Sequence, residues 1–98
     1  MDFGVFICKA KKKPVPDILS AHRASFCNEK AISKSEKCGC FYCLQLFEPA
    51  DINEWISEIG GEKTAACPFC GIDSVIPDSS GFPLTEEFLK DMYEYWFG

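Results

Sequence analysis

Two paired-cysteine steps, Cys40-Phe41-Tyr42-Cys43 and Cys67-Pro68-Phe69-Cys70, stand 23 residues apart in a chain of 98. A C-x-x-C step places two thiols on one tight turn. Two such turns brought together present four soft sulfur donors in a tetrahedron, the arrangement that structural zinc takes. Glycine just after the second cysteine eases such a turn because it accepts positive φ. Gly71 holds that place in the second step, whereas Leu44 holds it in the first, with Gly39 and a spare thiol, Cys38, lying ahead. The expected ligand set is Cys40, Cys43, Cys67 and Cys70 around one structural Zn²⁺, with Cys38 replacing Cys40 as the alternative. The spacer is slightly longer than the roughly 15 to 20 residues usual between paired steps. A helix inside it accounts for the excess.

Such an ion carries much of the folding free energy. A structural zinc contributes on the order of 10 kcal/mol or more, against a net stability of about 5 to 15 kcal/mol for a small domain. The length suits one domain over residues 1–98 and is too short for two independent cores. Seven cysteines cannot all pair internally, and the close steps suit a metal better than a disulfide framework, so a reducing, cytoplasmic setting is expected. No apolar run approaches the roughly 18 residues of a membrane span, and the first lysines follow the apolar start instead of preceding it as in a secretory signal.

Charge divides the chain. Residues 1–37 carry eight Lys or Arg against four acids, and residues 38–98 carry two Lys against eleven acids. Four thiolates around a divalent ion add about two further negative charges to the acidic part. That surface repels phosphate backbones. Any nucleic-acid contact falls to Lys9, Lys11, Lys12, Lys13, Arg23, Lys30, Lys34 and Lys37, a set that reads more readily as a solvated face.

Pattern gives the expected elements. Phe3 to Cys8 suits a short strand, and the lysines up to Pro16 suit a linker-like bend. Asp17 is a candidate N-cap for a helix with Ile18, Leu19, His22 and Phe26 on one side, running to about Cys27, where Asn28 stops it or caps a shorter helix through Ser33. Leu44 to Phe47 suits a brief strand. Pro49, the i, i+3, i+4, i+7 series Ile52, Trp55, Ile56, Ile59 and the pair Gly60-Gly61 predict a helix with a glycine stop. Thr64 to Ala66 leads extended into the second step, and Ile72 to Ile76 is β-branched enough to leave it as a strand. Thr85 caps a final helix with Glu86 and Glu87 in its first turn and a broad stripe of Phe88, Leu89, Met92, Tyr93, Trp96 and Phe97. That stripe serves the core or, at its aromatic end, docks a partner.

Other chemistries fit less well. Cys-Pro-Phe-Cys resembles the active-site step of glutaredoxins, but that chemistry needs a helix N-terminus behind the first thiol, and Gly71 to Pro77 is a poor helix. Nucleases of the HNH type also carry paired cysteine steps, yet they use several histidines, and His22 is the only one here. His22 reads as a partly buried helix residue, or with Cys27 and Cys38 as a second metal site; Asp73 reads as a turn cap beside Ser74, or as a base. Four cysteines leave a zinc no open position. His22 and Asp73 are therefore the only catalytic candidates, for a hydrolase beside the metal. Cys8 and Cys27 read as small structural hydrophobes.

The run Cys38-Gly39-Cys40-Phe41-Tyr42-Cys43, then Ile52 and Trp55, then Thr64 to Ile76 through Cys67-Pro68-Phe69-Cys70-Gly71-Ile72-Asp73-Ser74, resembles a family of small uncharacterised bacterial cytoplasmic proteins with this double cysteine motif. The likeness runs from about His22 to Phe97 and leaves residues 1–16 as an extension. It implies a bacterial or phage cytoplasmic setting and a shared fold, draws attention to Asp73 and Ser74, and brings no reaction with it. The expected fold is α+β and zinc-ribbon-like, with two knuckles, short antiparallel strands and about three helices. The expected function is a non-catalytic binding module for a protein partner, through the aromatic end of the last helix or the acidic face.

Overall fold

The computed structural model describes residues 15–98, with side chains from residue 18 onward. The strand expected over Phe3–Cys8 and the lysine run after it lie outside the described residues. Helix α1 (Val15–Arg23) begins two residues before Asp17, with Pro16 in its first turn, where the missing N–H has no partner to lose. It stops before Cys27. Three successive tight bonds, from the N–H groups of Ala24, Ser25 and Phe26 to the carbonyls of Ala21, His22 and Arg23, wind the chain down, and Cys27 turns it at φ 50°. Helix α2 (Glu29–Ser33) follows at once.

The strands are short and antiparallel, in two sheets. Strand β1 (Cys38–Cys40) lies between β2 (Leu46–Phe47) and β5 (Val75–Pro77), with Gly39 opposite Leu46 on one side and Ile76 on the other. Strands β3 (Trp55–Ser57) and β4 (Lys63–Ala65) form a separate hairpin, Ile56 facing Thr64. Helix α3 (Glu86–Trp96) closes the chain, and the Thr85 hydroxyl accepts a bond from the Phe88 N–H at 3.1 Å, as expected of its cap. Among the described residues the fold is thus α+β with three α-helices.

The helix predicted over Ile52 to Ile59 is absent. Pro49 does start a helical turn, but only a single 3₁₀ turn, Pro49–Asp51, closed by a reciprocal cap between Glu48 and Asp51. The rest is the β3–β4 hairpin. Gly60 and Gly61, at φ 99° and 92°, turn that hairpin where a helix stop was expected. The apolar spacing misled because only Ile52 of the four is buried; Trp55 is half-buried, Ile56 exposed, and Ile59 fully exposed at 103%. A run containing three isoleucines and a tryptophan suits a pleated strand as well as a helix.

Period-two alternation in β1 then sorts the core. Cys38 and Cys40 face a cluster with Ile32, Phe47, Ile52, Ala65, Cys67 and Val75. Ile76 faces the opposite cluster with Ala21, Phe41, Leu89 and Met92, built on α1 and α3. Gly39 lies under α3: a Cβ there would meet Leu89 Cδ1 at 3.1 Å and Leu46 Cδ2 at 3.2 Å. The central sheet is therefore a wall, with α1 and α3 on one face and, on the other, the cysteines and Ile32 of α2. No helix among the described residues is long and apolar enough to cross a membrane.

Candidate metal centre

Both cysteine steps fold into the same turn. In the first, the Cys40 N–H donates to Gln45 O at 3.0 Å and the Leu44 N–H to Cys40 O at 2.8 Å. In the second, the Cys67 N–H donates to Ile72 O at 2.9 Å and the Gly71 N–H to Cys67 O at 2.9 Å. Each turn ends in positive φ, 66° at Leu44 and 80° at Gly71. The leucine at the first step, which looked irregular in sequence, adopts the glycine conformation. It also packs against the Phe41–Leu89 cluster.

These turns aim backbone N–H groups at sulfur. Tyr42 and Cys43 donate to Cys40 Sγ at 3.3 and 3.5 Å, and Phe69 donates to Cys67 Sγ at 3.3 Å. The pairing of β1 with β5 brings the turns together. Cys40 and Cys70 sulfurs stand 3.6 Å apart, as do Cys43 and Cys67, and all four lie within 4.8 Å of one another. A disulfide requires about 2.0 Å between sulfurs, so these are four separate thiols, and all are free. Cys40 and Cys67 are buried and Cys43 and Cys70 half-buried. Four sulfurs so placed can hold one metal ion.

Burial works against the thiolate of Cys40, but bonds from the Ser74 hydroxyl and the Cys43 and Tyr42 N–H groups outweigh it and lower its pKa. Burial, with the nearby Cys40 charge, raises Cys43 to about 11 and raises Cys70 further, despite N–H groups of Gln45 and Ile72 acting the other way. Cys38 lies outside the four-sulfur group. Its side chain is fully buried in β1, and that burial, reinforced by the charge of Asp78, raises its thiol to about 12.

The other candidates lie elsewhere. His22 is exposed, not partly buried as expected, with its ring 4.0 Å from that of Trp96 and 6.1 Å from that of Phe41. Among the described residues no metal-competent group joins it to Cys27 and Cys38. Asp73 is exposed after the second turn. Arg23, Lys30, Lys34 and Lys37 are exposed, and Lys9 to Lys13 lie outside the described residues. The Cys27 N–H donates to the buried Thr64 hydroxyl at 2.8 Å, which fixes its left-handed turn.

Two residues take supporting roles that the sequence pattern did not give them. Ser74 is buried, with its hydroxyl 3.0 Å from Cys40 Sγ. Asn28, expected only as a helix boundary, is buried and spans the two sheets: its Oδ1 accepts from the Ala65 N–H at 3.0 Å, and its Nδ2 donates to Val75 O at 2.9 Å and Ala24 O at 3.1 Å. A lone Asn gives no sequence signal for such long-range bonds. No family model, curated protein or solved structure matches the chain.

Proposed function

We propose that this protein is a zinc-stabilised, non-catalytic binding module whose partner is another protein. The reading rests above all on the four-sulfur group. A Zn–S bond of about 2.3 Å gives a tetrahedron with S–S edges of about 3.8 Å, and the sulfur pairs at 3.6 Å fall close to it. Thiolates favour zinc over hard cations such as calcium or magnesium. Four of them close the coordination sphere, so the ion orders the chain and offers no position for a substrate.

The partner surface we assign is the aromatic patch where the first turn meets the end of α3. Tyr42, inside the first cysteine step, lies 4.9 Å from Phe97 and 5.7 Å from Tyr93, ring to ring, and Trp96 lies against His22 at a tilt of 32°. Tyr42 and Phe97 remain 41% and 45% exposed. Exposed aromatic clusters of this kind are enriched at protein interfaces. Because Tyr42 sits between two ligands, its position depends on the metal. The setting proposed is bacterial or phage cytoplasm.

Two measurements test this. Purified protein desalted from excess zinc should retain one zinc per chain; retention of none overturns the reading. Partner capture from the native host should be lost in Tyr42→Ala with Phe97→Ala and after chelation. Capture unaffected by both treatments removes the aromatic patch from the proposal.

A further inference from the structure

Ser74 is 1% exposed, and its hydroxyl has one partner among the described residues, the sulfur of Cys40 at 3.0 Å. A buried hydroxyl without a partner costs about 1 to 3 kcal/mol, so this bond accounts for a serine in a wall otherwise built of Val75, Ile76 and Pro77. Its place is set by the sheet. Cys40 stands opposite Val75, and the Phe41 N–H donates to Ser74 O at 3.0 Å, which fixes the serine backbone beside the first turn. Ser74 follows the second cysteine step in sequence, yet it serves a sulfur of the first. The bond forms only when both halves of the site are assembled.

Once Cys40 is a thiolate it has no proton to give, so the hydroxyl is the donor. Four thiolates and one divalent ion leave about two net negative charges, which hydrogen bonds to sulfur disperse. Cys40 then accepts three, from Tyr42, Cys43 and Ser74. Cys67, which opens the other turn, accepts one N–H bond, from Phe69, and no hydroxyl bond among the described residues.

We infer that Ser74 is a positioning residue of the metal centre: its hydroxyl holds the Cys40 thiolate in the ligand geometry and makes the first turn the anchoring half of the site. The inference rests on the four-sulfur metal reading and adds a fifth residue to it.

Cobalt(II) titration of the full chain tests it. Wild type should bind one Co²⁺ with a tetrahedral thiolate spectrum. Ser74→Ala should still bind one, but roughly tenfold more weakly and with its sulfur-to-metal charge-transfer band at lower energy, because a thiolate without its donor is easier to oxidise. Ser74→Thr, which keeps the hydroxyl, should restore both. Equal affinity and an unchanged band in Ser74→Ala overturn the role of Ser74 while leaving the metal site standing; a wild type that binds no Co²⁺ removes the site and the inference together. Should Ser74→Ala fail to fold, proton NMR of the zinc-loaded wild type decides: a slowly exchanging Ser74 hydroxyl supports the bond, and a freely exchanging one overturns it.

Discussion

The two cysteine turns share a backbone and differ in what holds them shut. The first closes a true hairpin, since β1 and β2 pair directly, Cys38 with Phe47 and Gly39 with Leu46. The second has stems in different sheets, β4 with β3 and β5 with β1, so no ladder joins them. Asn28 takes the place of that ladder. Its amide accepts from Ala65 on the entering strand and donates to Val75 on the leaving one. A turn that is cheap on a hairpin thus needs a buried side chain to tie its stems when they diverge.

The most severe way to break the comparison is to remove the ion that the four sulfurs would hold. Cys67→Ala should abolish stoichiometric zinc and most of the cooperative thermal transition, since about 10 kcal/mol of metal binding is comparable to the entire stability of a domain this size. Cys38→Ala, outside the group, should keep one zinc per chain and lose only a buried thiol's packing. A normal melt in Cys67→Ala refutes the metal's structural role.

Next in size is the amide clamp. Asn28→Ala strips partners from the Ala65 N–H and the Val75 and Ala24 carbonyls, and buried groups so orphaned cost about 1 to 3 kcal/mol apiece before water or relaxation relieves them. A loss of about 3 kcal/mol in urea unfolding of the zinc-loaded protein is expected. Hydrogen exchange should quicken at Ala65 and around the second turn more than along β1 and β2. Uniform quickening contradicts the division between a self-closing turn and a clamped one.

Acid should discriminate as well. Cys43, with its thiol raised to about 11, and Cys70, raised beyond it, are protonated in the metal-free fold at neutral pH. Each must release its proton to ligate, so metal affinity rises with pH throughout the range below about 11 and falls on acidification. At least two protons are released per ion, so the apparent affinity changes by about 100-fold or more per pH unit. Chelator competition at pH 6, 7 and 8 measures it; a slope near zero contradicts thiol ligation.

These contrasts explain what could be read from the residues alone. The four-cysteine group was visible because a C-x-x-C step is a local turn, and its chemistry is carried by adjacent residues. Thr85 and the stripe of α3 were visible for the same reason, since cap and periodicity are both local. Ile52 to Ile59 misled because its apolar spacing fits a helix, while the decision for strand came from pairing with Lys63 to Ala65, which only the fold reveals. Asn28 and Ser74 were invisible in their roles because their partners stand 37, 47 and 34 residues away. Gly39, noted only as preceding the first step, is small because Leu89 and Leu46 approach it from α3 and β2.

The finest contrast is the residue at positive φ. Gly71 occupies φ 80° without a Cβ and with open space around it, so Gly71→Ala costs only the left-handed conformation, about 1 to 2 kcal/mol. Leu44 already bears that cost at φ 66°, offset by its packing against the α3 cluster. Leu44→Gly therefore removes strain and packing together, and the two nearly cancel, leaving stability within about 1 kcal/mol of wild type. Thermal melts of the two zinc-loaded variants should separate clearly, with Gly71→Ala the lower. If Leu44→Gly were instead the more damaging, the first turn would owe its shape to leucine packing and not to the hydrogen bonds and ion that the two turns share.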